Sequence, residues 1–162
     1  MLTRTQVIIA AKLAREFGHT WGCILNEDGD LVEDAPEELS QESIEKWVHA
    51  TGDPGPCGWG IDSPSTIGPD RMIIYHKTGT GRTSWFVDED GRVDIYISRP
   101  NDTEDGLRVL SAIYYPTSDS IEVFIIEEED YALRHCYALE KAIQALKGKE
   151  YSLPLSVYEN AK

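Results

Sequence analysis

The sequence predicts an α+β fold: an antiparallel meander of about five to six strands with N-terminal, middle and C-terminal helices packed on it. Three observations predict it. Segments rich in β-branched and aromatic residues fill most of residues 71–128. The separators between them, TGTG, EDG, PNDTEDG and PTSDS, are turn chemistry and are too short for parallel crossovers. Helix-forming stretches lie before and after that region. The length of 162 residues suits one domain, 1–162, that carries a Pro/Gly-rich loop at 53–70.

The elements follow in order. TQVIIAAKLAREF, 5–17, repeats Ile9, Leu13 and Phe17 every four residues, and Gly18 supplies a C-terminal stop, so it reads as an amphipathic helix. HTWGCIL, 19–25, reads as a strand, NEDGD, 26–30, as its turn, and LVED as a short return. Pro36 opens a second helix over 36–51, with Ile44, Trp47 and Val48 on one face and Gly52 at its end. DPGPCGWGIDSPSTIGPD, 53–70, is too rich in Pro and Gly for a regular element and reads as a loop. Strands follow at 71–77, 83–88, 92–98, 107–115 and 121–128. Val93, Ile95 and Ile97 would share one sheet face, with Asp94, Tyr96 and Ser98 on the other. LRVLSAIYY, 107–115, also fits a helix. DYALRHCYALEKAIQALK, 130–147, is the clearest helix; Leu133, Tyr137, Ala138, Ile143 and Leu146 are its apolar positions. Asp130 at its start and Lys147 at its end complement the helix dipole. SLPLSVY, 152–158, reads as a closing edge strand, a place that tolerates Pro154.

Charge narrows the function. Fifteen Lys and Arg face 29 Asp and Glu, a formal charge of −14. Nucleic acid and anionic membrane surfaces need clustered positive charge, so neither is expected as partner. No stretch approaches the roughly 20 apolar residues of a membrane helix. Cys23, Cys57 and Cys136 are sparse and odd in number, which suggests reduced thiols and a cytoplasmic location rather than a disulfide framework.

Motif tests remove most site chemistry. TGTGR, 78–82, lacks the GxxxxGK[ST] spacing and is followed by a strand, so it reads as a hairpin turn and not a phosphate cradle. DEDG, 88–91, and NEDGD lack the sixth-position Gly of a calcium loop; a turn with Gly91 in a left-handed conformation fits better. His19, His49, His76 and His135 pair into no CxxC or HExxH pattern, so neither a metal nor a cofactor is expected. His135 and Cys136 are adjacent, and adjacent helical side chains do not face each other. What remains is grouped acid: Asp88, Glu89, Asp90 and Asp94 at one hairpin, and Glu127, Glu128, Glu129 and Asp130 before the last helix. Such groups are candidate partner-binding residues, because charge steers and orients the docking of a basic protein.

Residues 71–158 resemble small acidic bacterial toxin-immunity proteins. The resemblance lies in the run RMIIYHKTGTGRTSWFVDEDG, in the later helix YALRHCYALEKAIQALKG and in the closing SLPLSVY. It implies a protein that binds a toxin and blocks its active site without catalysis, and it carries over no individual residue. The expectation is therefore a non-enzymatic acidic protein that docks a basic protein partner, as an immunity or inhibitor protein. One alternative is a small hydrolase or transferase using His76 or His135 near the 53–70 loop. Another is a phage or mobile-element accessory protein that blocks a nucleic-acid enzyme.

Overall fold

The computed structural model describes residues 3, 5–6, 8–9, 12–13, 58–62, 72–78, 81–99, 108–126 and 131–162. Their centre is an antiparallel sheet whose strands lie side by side in sequence order: β1 (Gly58–Asp62), β2 (Met72–Thr78), β3 (Gly81–Val87), β4 (Val93–Ser98), β5 (Arg108–Tyr115) and β6 (Ser120–Ile125). Helix α1 (Leu133–Lys147) crosses β3, β4 and β5, and a short α2 (Leu155–Glu159) follows it. The predicted antiparallel meander with a packed helix is thus present, and Arg108–Tyr115 is strand. The expected elements at 19–25 and 36–51 lie outside the described residues. Of the 5–17 helix, Thr5, Gln6, Ile8, Ile9, Lys12 and Leu13 have helical backbone, and Ile9 and Leu13 are buried.

Period-two alternation decides what each face holds. Met72, Ile74, Trp85, Val87, Val93, Ile95, Ile97, Leu110 and Ala112 turn to the helix side and meet Cys136, Leu139, Ile143 and Leu146 of α1 in one core. The Trp85 indole N–H points at the Ala142 carbonyl, 3.5 Å away, tying β3 to α1. Burying a side chain of this size stabilises by about 1.5–3 kcal/mol. The opposite face carries Ile73, Tyr75 and Phe86, packed with Tyr96. A bulge in the β4–β5 ladder sets its far corner: Ile97 pairs with Leu110, but Ser98 pairs with Arg108. The extra residue, Val109, stays in the core, and Arg108 is re-aimed onto the opposite face. There its guanidinium lies 4.0 Å from the Tyr96 ring centroid and 5.5 Å from that of Phe86.

Four expectations need correction. The 53–70 stretch is not all loop, because Gly58–Asp62 pairs in full register with β2 from Lys77 back to Ile73. An edge position in the ladder satisfies the backbone on one side, which suffices despite the flanking prolines. The second correction concerns 152–158, which is no strand. Leu153 N–H donates to Glu140 Oε1 at 3.0 Å, and Gln144 Nε2 donates to the Tyr151 carbonyl at 2.9 Å. Side chains of α1 therefore take up backbone groups that a sheet would have used, and Pro154, with φ −52°, starts a helical turn that buries Leu153 and Val157 four residues apart. Third, Ile143 and Leu146 of α1 are buried together with His135, Cys136, Leu139, Ala142 and Ala145, while Leu133 and Tyr137 are exposed. Fourth, the hairpin read at 78–82 is present, with Thr78 paired to Gly81, but Gly81 itself opens β3, where a Cβ would come 2.6 Å from the Ser98 carbonyl oxygen. That glycine is needed for close backbone approach rather than for a turn.

Candidate partner-binding hairpin

The turn between β3 and β4 forms from its own sequence. Asp88 carbonyl accepts from Gly91 N–H at 3.0 Å, and Asp88 N–H donates to the Arg92 carbonyl at 2.9 Å. Gly91 holds φ +89°, the left-handed step that a three-residue hairpin loop requires. Asp90 Oδ1 accepts the Arg92 N–H at 3.1 Å, a local side-chain bond that explains an acid at that position. Glu89 and Asp90 stand exposed at the tip, and Asp88 is half-buried beside them.

The chain start clamps this tip. Thr3 and Gln6 form a reciprocal capping pair: Gln6 N–H donates to Thr3 Oγ1 at 3.2 Å, and Thr3 N–H to Gln6 Oε1 at 2.9 Å. Gln6 Nε2 then donates to the Val87 carbonyl at 3.1 Å, and Thr3 Oγ1 to the Glu89 carbonyl at 2.9 Å. Sequence reading passed over both residues, although TRTQ at 3–6 is the T-x-x-Q signature of such a cap.

The predicted acidic residues divide in the structure. Asp94 lies on the sheet face opposite α1, 6% exposed, with its Oδ1 3.1 Å from Arg92 Nε. Its charge is the first cause holding the Arg92 guanidinium above its ordinary pKa. Asp94 thus orders the sheet beneath the tip, whereas Glu89 and Asp90 face solvent. Glu127, Glu128, Glu129 and Asp130 lie outside the described residues.

Beside the tip an open recess is lined by Asp90, Arg92, Tyr115, Ser118 and Glu122, among others. Its far wall is the β5–β6 turn. Asp119 there takes φ +49°, a left-handed conformation that Asp tolerates better than most residues. A hydrogen bond from Tyr114 and one from Lys149 hold the Asp119 carboxyl below its ordinary pKa, and Lys147 lies 3.6 Å away. The acids of the recess itself are Asp90 and Glu122; Arg92 and Tyr115 line it with them, the Arg92 guanidinium 6.0 Å from the Tyr115 ring centroid.

Two of the four histidines, His76 and His135, lie among the described residues. His76 lies on β2, opposite Thr83 of β3, and burial lowers its pKa. His135 sits in the first turn of α1, 2% exposed, its Nδ1 taken by the Ala132 N–H. Among the described residues, no group of three or more His, Cys, Asp or Glu is placed to hold a metal ion, and no helix is long and apolar enough to cross a membrane. Comparison with protein-family models, curated proteins and solved structures finds no match.

Proposed function

We propose that the protein is a non-enzymatic acidic binding protein that docks a basic protein partner through the β3–β4 hairpin, most concretely as an immunity or inhibitor protein. One observation carries this reading: the exposed acids Glu89 and Asp90 stand on a tip fixed by its own turn and by Thr3 and Gln6, beside a recess holding Tyr115 and Glu122. Ordered charge next to an aromatic ring is a suitable docking surface, because little side-chain and loop entropy remains to be lost. The formal charge of −14 adds long-range attraction for a cationic surface.

The test is capture from the native host with the chain immobilised, followed by identification of what is retained. A single basic protein should be held at low salt and released at high salt. The double variant Glu89→Lys, Asp90→Lys should bind it roughly tenfold more weakly. A partner held equally well by the variant and at high salt overturns the proposal.

A further inference from the structure

We propose that the outer edge of β6 receives an extended basic segment of the partner as an added strand; this rests on the docking reading above and extends it to the neighbouring strand.

The warrant is the backbone of β6. Among the described residues it is the last strand of the sheet and pairs with β5 alone. Ile126 N–H donates to the Val109 carbonyl at 3.0 Å, and the register continues through Ser111↔Phe124, Ile113↔Glu122 and Tyr115↔Ser120. In an antiparallel ladder the hydrogen-bonded pairs alternate, so the even-numbered residues spend their N–H and C=O groups on β5. Ile121, Val123 and Ile125 then turn theirs outward. Among the described residues nothing takes up those groups. The strand is also open to solvent: Phe124 is 42% and Ile126 45% exposed, and Ser120 and Glu122 are exposed with them. None of the usual guards, a lysine, a proline or a bulge, occurs within SIEVFI.

Charge and alternation select the occupant. The β6 face opposite α1 presents Glu122 and Phe124, while Ile121, Val123 and Ile125 border the main core. A strand with cationic residues on one side and apolar residues on the other matches both sides at once. A second copy of this chain does not, since each copy carries −14. The recess of Asp90, Tyr115 and Glu122 opens at the start of β6, so an added strand continues directly from the docking hairpin.

The probe is a synthetic peptide of about ten residues that alternates lysine and valine, added to the full chain. Its binding should slow hydrogen exchange at the Ile121, Val123 and Ile125 amides. Val123→Pro removes one outward donor while leaving the β5 ladder intact, because that N–H is not used within the sheet. This variant should keep its circular dichroism and lose peptide binding by roughly tenfold or more. A glutamate–valine peptide should not bind. Absence of binding by the lysine–valine peptide, binding without protection of these three amides, or undiminished binding to Val123→Pro overturns the proposal. So does dimerisation of the chain alone that Val123→Pro abolishes. Should Glu89→Lys, Asp90→Lys weaken the peptide while Val123→Pro does not, added-strand pairing fails and the acidic docking reading stands.

Discussion

His135 Nδ1 accepts the backbone N–H of Ala132 at 2.9 Å, so the imidazole itself caps the first turn of α1. The ring proton therefore sits on Nε2, which is buried without a hydrogen-bond partner. A second proton has to go to Nδ1, where it breaks the cap.

Burial first, then the charges of Arg134 and Arg99, hold the His135 pKa below its ordinary 6.5. As pH falls, the unfolded chain binds the proton before the folded chain does. The stabilisation is complete above the ordinary value and is lost as pH falls from there towards the depressed one. The melting temperature should drop on mild acidification. His135→Gln, whose side-chain oxygen can still accept from Ala132, should flatten that slope. His76 is shifted in the same direction by burial, so His76→Gln provides the comparison. An unchanged slope in His135→Gln contradicts the cap.

The core should answer to volume. Trp85 is 2% exposed and Ile95 fully buried. Trp85→Ala should cost about 3–5 kcal/mol and Ile95→Val about 0.5–1.5 kcal/mol in denaturant unfolding. The Trp variant should lose more than area alone predicts, because its indole also reaches the Ala142 carbonyl.

Gly91 should accept no side chain. Its φ of +89° strains any L-residue, and a Cβ there would lie 2.6 Å from Thr5 Cγ2 and 3.4 Å from Pro116 Cγ. Gly91→Ala should destabilise by about 1–3 kcal/mol, read as a shift of the denaturation midpoint at constant slope. Adding Thr5→Ser, which removes the nearest methyl, should restore part of the loss.

The pair Arg92–Asp94 should behave asymmetrically. Arg92 is 40% exposed in its side chain and Asp94 only 9%. Arg92→Ala leaves a buried carboxylate without its guanidinium and should cost more than the ~0.2–1 kcal/mol of an exposed pair. Replacing both, as Arg92→Ala, Asp94→Asn, should recover stability relative to Arg92→Ala alone.

Cys136 should resist thiol reagents in the folded chain. It is fully buried, and burial followed by the charge of Glu140 raises its thiol pKa. In a Cys23→Ser, Cys57→Ser background, labelling should follow unfolding and should speed up sharply in denaturant.

Particular residues show what could be read from the sequence. The alternation of Val93, Ile95 and Ile97 against Asp94, Tyr96 and Ser98 appears in the structure as predicted, because a strand's period of two is a local property. Gly91 was equally legible as a left-handed turn residue. Arg108 was not: simple alternation places it beside Leu110 and Ala112, and only the bulge at Val109 sends it to Tyr96. SLPLSVY reads locally as a strand, but α1 supplies Glu140 and Gln144 to the backbone at Leu153 and Tyr151, a tertiary choice no local pattern records. At the hairpin, the acids could be found but their division of labour could not. Asp94 and Asp90 look alike in DEDGRVD, and only the pleat and the turn decide that one lies beneath the sheet surface and the other at the tip.

The capping pair Thr3–Gln6 also has a kinetic meaning. Its bonds to Glu89 and Val87 span 86 and 81 positions of chain, so they close a loop of about half the protein. The β3–β4 hairpin can form early, since its contacts are local, whereas the brace waits for that long closure. Thr3→Ala, which removes the hydroxyl, should leave hairpin formation unchanged and speed local opening of the tip, seen as faster amide exchange at residues 88–91.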